Sequence, residues 1–208
     1  MTAPWRRSTP SDRPGLAAAG LWALLVLALS ACQIEPPRQT FAELTFDHRP
    51  PLRFDVAEVQ VDQAYVPRLE PPHVEQKTPL PPAAAAARWA RDRLRATGTE
   101  GRLLFTVQEA SVVEVPLPKT GGLEGLWVVD QSERYDARLV LTMTLFNAFG
   151  AQEASATVTA TRSATVPEDA SLNEREAVWF ALVEKLMRDS DGQLEETLRR
   201  YFGRHILN

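Results

Sequence analysis

The chain is poor in the side chains that form disulfides and metal sites. Its 208 residues contain one cysteine and three histidines. His48, His73 and His205 lie far apart in sequence and share no metal-ligand spacing, and one cysteine excludes an internal disulfide. A Ser-His-Asp pattern is also missing, and Gly121-Gly122 lacks the helix and lysine that would make it a phosphate loop. We therefore expect no enzymatic activity, no metal and no cofactor.

The chain also lacks an apolar run long enough to span a membrane comfortably. The longest run, Leu16 to Leu29, has 14 residues, whereas a spanning helix needs about 20. Arg6, Arg7 and Arg13 precede this run, and the small residues Ser30 and Ala31 follow it. This is the three-part pattern of a signal peptide. A secretory signal with a chance cysteine, or a short membrane anchor, would show the same three parts.

The tetrapeptide Leu29-Ser30-Ala31-Cys32 closes the run and contains the single cysteine. It resembles the lipobox of bacterial lipoproteins, in which signal peptidase cuts before the cysteine and the sulfur carries a diacylglycerol. The resemblance implies a signal peptide over residues 1–31 and a diacylglycerol and an N-acyl lipid on Cys32. One acyl chain holds a protein only marginally, at about 0.8 kcal/mol per buried methylene, so three chains would anchor it to the bilayer effectively permanently.

Gln33 follows the cysteine. In enteric bacteria an Asp at this position retains lipoproteins at the inner membrane, so Gln33 resembles the class that is sorted to the outer membrane. The expected location is therefore the inner leaflet of the outer membrane, facing the periplasm.

Acidic residues outnumber basic ones once the leader is removed. Residues 1–31 contain three of the 23 Lys and Arg residues and one of the 27 Asp and Glu residues, so the remaining 177 residues have a net charge of −6. Nucleic-acid binding needs a basic footprint. The balance of charge therefore excludes nucleic acid as a natural partner.

Proline marks two segments in which regular structure is not expected. Four prolines in residues 32–51 predict an extended spacer that follows the lipidated cysteine and lifts the domain off the bilayer. Six prolines in residues 66–82 predict a crossover loop on the surface of a single domain over residues 52–208. That loop could instead dock on another protein as an extended ligand.

The remaining patterns predict a two-layer α/β (α+β) sandwich in the order β-α-β-β-β-α. Alternating residues predict a strand over 52–61 with a bulge near Ala57-Glu58, and further strands over 102–115, 135–145 and 153–161. In the strand over 102–115, Val113 and Val115 are expected to face the core together with Leu103. Three successive strands favour a mainly antiparallel four-stranded sheet with one solvated face and two helices on the other.

Both helices have recognisable ends. One begins at Pro82 and is expected to be capped by Gly98. The other begins with the capping box Ser171-Leu172-Asn173-Glu174, and Gly192 is a candidate break within it. Its apolar stripe consists of Trp179, Leu182, Val183, Leu186, Leu194, Leu198 and Tyr201. Glu195 and Glu196 are expected to pair with Arg199 and Arg200 on a solvated helix face.

One loop is a candidate binding surface. The segment 121–129 carries Leu126, Trp127 and Val128 between two predicted strands, and aromatic residues dominate protein interfaces. These three residues are our predicted partner-binding site. The alternative is that Trp127 folds back onto the sheet edge or into the core.

The overall plan resembles that of small auxiliary lipoproteins of envelope machinery, such as the lipoprotein partners of lipopolysaccharide export and of lipid-transporting ABC systems. Residues 135–139 and 172–176 are also similar to stretches of uncharacterised alphaproteobacterial lipoproteins, which implies no activity. We expect a non-catalytic, partner-binding subunit of envelope assembly or transport. The alternative is a lipid- or glycan-binding carrier with a cleft between the sheet and the last helix. A hydrolase, which would show clustered carboxylates or histidines in a pocket, ranks third.

Overall fold

Four strands form the main sheet, and two helices cover one of its faces. The computed structural model describes residues 39–118 and 131–207. The strands are β1 (Leu52–Phe54), β2 (Glu58–Gln63), β3 (Leu94–Ala96), β4 (Arg102–Pro116), β5 (Gln131–Phe146) and β6 (Gln152–Pro167), and the helices are α1 (Pro82–Arg93) and α2 (Leu172–Phe202). The main sheet has the order β2-β4-β5-β6, in which only the β2–β4 pair is parallel. The two-layer α+β sandwich is therefore confirmed.

The β5–β6 hairpin follows the alternation in its sequence. The residues of β5 at positions 135, 137, 139, 141, 143 and 145 are all buried, while their neighbours are partly or fully exposed. The turn between the strands is made by Asn147, whose side-chain oxygen accepts hydrogen bonds of 3.0 Å from the amides of Phe149 and Ala151. Gly150 has a φ of +77°, a left-handed conformation that glycine adopts without strain.

A bulge in β4 changes which side chains face the core. Leu103, Phe105 and Val107 are buried as predicted, but the pairing with β5 shifts between Val107 and Glu109, which leaves Gln108 as an extra residue. An extra residue reverses the parity of the strand beyond it. Val112 is therefore fully buried, and Val113 and Val115, which we expected in the core, are only half-buried.

The first predicted strand is divided between two sheets. β1 pairs in parallel with β3 in a separate two-stranded sheet, and β2 pairs in parallel with β4 in the main sheet. The expected bulge at Ala57-Glu58 is instead a break between two strands. The C-terminus also joins β1, because the amide of Asp55 donates to the carbonyl of His205 at 2.8 Å and that of Leu207 to the carbonyl of Arg53 at 2.8 Å.

Helix α1 begins at Pro82 as predicted but ends earlier than expected. It stops at Arg93, and the chain passes directly into β3. Gly98 is therefore not its cap. Gly98 lies against the backbone of Asp55 and Val56, and an added Cβ would come within 2.7 Å of the amide nitrogen of Val56. A close backbone approach explains the glycine here.

Helix α2 has the predicted start and no break. The Ser171 side chain accepts from the amide of Glu174, whose carboxylate accepts from the amide of Ser171, so the capping box is complete. The hydrogen bonds from the backbone and side chain of Ser171 lower the pKa of Glu174. The helix runs continuously through Gly192. Tyr201, predicted in the apolar stripe, is 58% exposed, and Phe202 takes the buried position instead.

The proline-rich segment covers part of a sheet edge. β2 pairs only with residues 102–107 of β4, which would leave the second half of that edge open. The amide of Val74 donates to the carbonyl of Val112 at 2.9 Å, and the amide of Glu114 to the carbonyl of Pro72 at 2.8 Å. Covering an open edge prevents unwanted strand pairing. The segment thus crosses the surface as predicted, but Val74, Glu75 and Thr78 within it are buried.

Candidate functional site

The chain that leads into the domain is strapped across the helices. We call residues 41–50 the N-terminal strap. The ring of Phe41 stacks on that of Phe180 in α2 at a centroid distance of 4.8 Å. Phe46 is 3% exposed and belongs to the core, and its amide donates to the Asp92 carboxylate at 3.0 Å. We expected this segment to be part of the extended spacer, but it is packed against the domain.

Four charged side chains hold the strap to both helices. We call Arg49, Arg93, Asp191 and Glu195 the ion network. Arg93 is 0% exposed and donates to Asp191 Oδ1 at 3.3 Å and to Glu195 Oε2 at 2.6 Å. It also donates to the carbonyl of Pro50 at the end of the strap. A buried guanidinium is stable only with such partners on its donors.

Arg49 closes the network from the strap side. It pairs with Asp191 and, at 2.6 Å, with Glu195. Its hydrogen bond to Asp191 raises the pKa of Arg49 although partial burial acts in the opposite direction. Two positive and two negative side chains thus balance each other in the junction. Their donors and acceptors face each other, so the arrangement is suited to fixing the strap rather than to moving a proton.

The sequence places two of the charges of this network at helix positions that are flanked by core residues. Asp191 lies four residues after Met187 and three before Leu194, both of which are fully buried. Arg93 likewise lies four residues after the buried Trp89. Opposite charges on the buried faces of two helices indicate an internal ion pair. Glu195 does pair with Arg199, at 3.0 Å, but it also faces inward to Arg93, so its predicted place on a solvated face is only partly right.

A groove lies beside the strap. It has a volume of about 380 Å³ and lies between the strap, α1 and α2. Its lining combines apolar side chains with two arginines: Phe41, Leu44, Leu80, Phe180, Arg88 and Arg91. Arg88 pairs with Glu43 of the strap, and Arg91 is exposed. The groove can hold apolar groups next to a group with negative charge.

A buried carboxylate fixes the proline-rich segment. Glu75 is 2% exposed, and its Oε1 accepts from the Tyr65 hydroxyl at 2.6 Å and from the amide of Arg68 at 3.2 Å. Its Oε2 accepts from the amide of Val112 at 3.3 Å. Burial alone would raise the pKa of Glu75, but these hydrogen bonds lower it overall. Burial and the nearby Glu75 raise the pKa of Tyr65.

A second buried cluster lies where β4 ends and β5 begins. The Tyr135 hydroxyl donates to Glu133 at 2.9 Å and accepts from Arg175 of α2 at 2.6 Å. The ring of Tyr135 meets Trp179 edge-on at a centroid distance of 5.4 Å. Burial and the Glu114 carboxylate raise the pKa of the Tyr135 hydroxyl. This cluster joins the last helix to this end of the sheet.

A polar groove at the opposite end of the sheet is lined by carboxylates and a histidine, the residue types that the hydrolase hypothesis requires. Asp55, Glu100, Glu153 and His205 line it. Its His205 Nε2 lies 3.6 Å from Glu153 Oε2, an ion pair only when the histidine is protonated. In the described parts of the chain, no three His, Asp or Glu side chains converge as metal ligands would. The groove therefore presents polar side chains that do not form a metal-ligand cluster among the described residues.

The interface required by the carrier hypothesis is filled. The inner residues of β5 and the inner residues of α2 belong to one buried core cluster. Leu139, Met143, Leu182 and Leu186 are each at most 3% exposed. Side chains occupy the place where the carrier hypothesis puts a cleft, so the geometry of the described residues does not support a carrier.

The predicted site residues fall outside the described part of the chain. These are Cys32 and the three partner-binding residues Leu126, Trp127 and Val128. The structure thus brings together a set that we did not predict, the strap and the ion network. Among the described helices, none has both the length and the apolar character needed to cross a membrane.

Comparisons with known proteins give little further information. No protein-family model matches the chain, and no curated protein matches it. A crystal structure of a minor lipoprotein from Acinetobacter baumannii is similar with a TM-score of 0.37 and 16% sequence identity, over 70% of this chain and 93% of that one. This similarity is too loose to show a shared fold, and the proposals below rest on other observations.

Proposed function

We propose that the chain is a bacterial lipoprotein, acylated on Cys32, that serves as a non-catalytic, partner-binding subunit of cell-envelope assembly or transport. The proposal places it on the inner leaflet of the outer membrane, facing the periplasm. The lipobox pattern Leu29-Ser30-Ala31-Cys32 motivates the anchor.

The N-terminal strap is the structural observation that carries the proposal. The chain enters the domain through a fixed junction, in which Arg49 and Arg93 meet Asp191 and Glu195. A junction of this kind fixes where the chain enters the domain, which is a defined attachment of the strap to both helices. Defined attachment is useful to a subunit that must present one surface to a partner.

The buried ionisable groups connect parts of the fold. Among the described residues, the most buried ionisable side chains are those of Arg93, Glu75 and Tyr135. Each of them contacts a partner on a different element of the fold. Each of them joins a loop or a helix to the rest of the fold. Their partners are therefore other parts of the fold, which gives these groups structural roles.

The test is photo-crosslinking in intact cells, because it captures a partner before the envelope is disrupted. A photoreactive residue replaces Trp127, and a matched control carries it at Thr157, which is exposed on the outer face of β6. We expect position 127 to crosslink one envelope protein that is also recovered in stoichiometric amount by affinity capture from detergent-solubilised membranes. Repeated recovery of the lipoprotein alone, with no crosslink at either position, would contradict the proposal.

A further inference from the structure

We infer that the groove beside the N-terminal strap rests on the lipid headgroups of the membrane that holds the anchor. This inference deepens the proposed function and rests on acylation of Cys32. It assigns the bilayer surface as the occupant of the groove, and the outer face of the sheet as the side directed away from the membrane.

The length of the intervening chain is the first argument. Gln39, where the described domain begins, is seven residues after Cys32. Even a fully extended chain of that length spans only about 25 Å. A domain of this size is about 40 Å across. The chain length alone therefore limits the start of the domain at Gln39 to about 25 Å from Cys32, which is less than the width of the domain.

The fixed position of the strap is the second argument. Phe41 is stacked on Phe180, and Glu43 pairs with Arg88 of α1. The chain is therefore attached to the outer surface of the helical layer from its first few described residues onward. The spacer that could lift the domain off the bilayer is shorter than the predicted residues 32–51, because most of its second half is part of the fold.

The chemistry of the groove is the third argument. Phe41, Leu80 and Phe180 provide apolar contacts, and Arg88 and Arg91 lie in the same lining. Arginine packs its apolar stem against such a surface and reaches headgroup phosphates with its guanidinium. Glu43 is the acidic side chain of the lining and is paired with Arg88, so Arg91 leaves the groove with a net positive charge toward an anionic membrane.

The opposite face of the molecule has a different character. The outer face of the sheet carries paired hydroxyls, Thr142 with Thr157 at 2.9 Å and Thr144 with Ser155 at 3.3 Å. Arg134 and Arg138 of this face are each paired with a carboxylate of the same face. Neutral hydroxyl pairs have no attraction for phosphate beyond that for water. This face is thus suited to contact with water rather than with headgroup phosphates.

The experiment uses the full mature lipoprotein in vesicles of phosphatidylethanolamine and phosphatidylglycerol. Acylation consumes the sulfur of Cys32, so an introduced cysteine is the only thiol available for a fluorophore. Ala84→Cys places the label in the groove, and Thr157→Cys places it on the outer sheet face. Energy transfer to an acceptor on the lipid headgroups should be several-fold stronger from position 84. Equal transfer, or stronger transfer from position 157, would overturn the inference.

Charge variants test the chemistry separately from the tether. Arg91→Ala should lower the ratio of docked to undocked domain about fivefold in these vesicles, since one arginine near an anionic surface contributes about 1 kcal/mol. Arg200→Ala removes an exposed charge paired with Glu196 on the same layer and should leave the transfer unchanged. An equal effect of both variants would contradict a specific role for the groove.

Flotation of the same vesicles separates the two levels of the proposal. Protein that fails to float with lipid has no anchor, which overturns both the proposed function and the inference. Protein that floats but shows equal energy transfer from both labels keeps the anchor and overturns only the docking of the groove.

Discussion

Trp89 of α1 donates a hydrogen bond of 2.7 Å from its indole nitrogen to Asp191 Oδ1 of α2. The same oxygen accepts from Arg93 at 3.3 Å, and the other oxygen of Asp191 pairs with Arg49 of the strap. One carboxylate therefore connects two helices and the N-terminal strap. The first predictions follow from this arrangement.

Replacing Asp191 should strongly destabilise the domain. Asp191→Asn removes the charge that compensates Arg93, and breaking a buried ion pair from one side costs about 3 kcal/mol or more. Asp189→Asn is the matched control on the same helix, because Asp189 pairs with the half-exposed Arg162 and should cost less than about 1 kcal/mol. Urea unfolding of the detergent-solubilised mature protein measures both. Similar losses in the two variants would contradict the central place of Asp191.

Removing Arg49 should release the strap without unfolding the domain. Arg49 is 38% exposed, and losing its charged hydrogen bonds should cost about 1.4 kcal/mol, which corresponds to about tenfold more opening. Chymotrypsin cleavage after Phe41 and Phe46, followed by mass spectrometry, reports that opening. Cleavage after Phe149, which is 96% exposed, is the internal control and should not change. Unchanged cleavage in the strap of Arg49→Ala would mean that other contacts hold it.

Glu75 should make the free energy of unfolding of the domain depend on pH in the acidic range. Its pKa is lowered in the folded protein from the ordinary value of 4.5, so its ionised form contributes stability above that pH, and the contribution is lost as pH falls through the folded value. We expect Glu75→Gln to cost about 2 kcal/mol near neutral pH, with the difference from wild type shrinking below pH 4.5. Denaturant unfolding across pH tests this. A difference that is constant at all pH values would show that the charge of Glu75 is not responsible.

Two glycines should respond to alanine in opposite directions. Gly192 lies inside α2 with nothing within 4 Å of an added Cβ, so Gly192→Ala should stabilise the protein by about 1 kcal/mol. At Gly98 the same change brings Cβ within 2.7 Å of backbone atoms of Asp55 and Val56, and should destabilise it. Thermal unfolding compares the two variants. A destabilising Gly192→Ala would indicate a break in α2 at that residue.

The sequence predicted those elements whose signals are local. The alternation in β5, the Asn147 turn and the capping box at Ser171 depend on neighbouring residues, and all three are present. The bulge at Gln108 has no glycine or proline to mark it, so the side chains beyond it were assigned to the wrong face. The split of the first strand depends on pairing with β3 and β4, which are distant in sequence.

The candidate site was harder to predict because it is made by tertiary contacts. Four prolines in residues 32–51 indicated a spacer, yet Phe46 packs in the core. Arg49 likewise meets two carboxylates about 140 residues away. The charges of Arg93 and Asp191 at buried helix positions were a usable signal. The lipobox is a local motif, and the prediction drawn from it concerns residues outside the described part of the chain.

Acylation of Cys32 is the central claim, and metabolic labelling with radioactive palmitate tests it most directly. The wild-type chain should incorporate label and, by intact mass, begin at Cys32 with residues 1–31 removed. Cys32→Ala should incorporate no label and remain uncleaved or become soluble. Label that persists in Cys32→Ala, or a wild-type chain that retains its leader without label, would contradict the account.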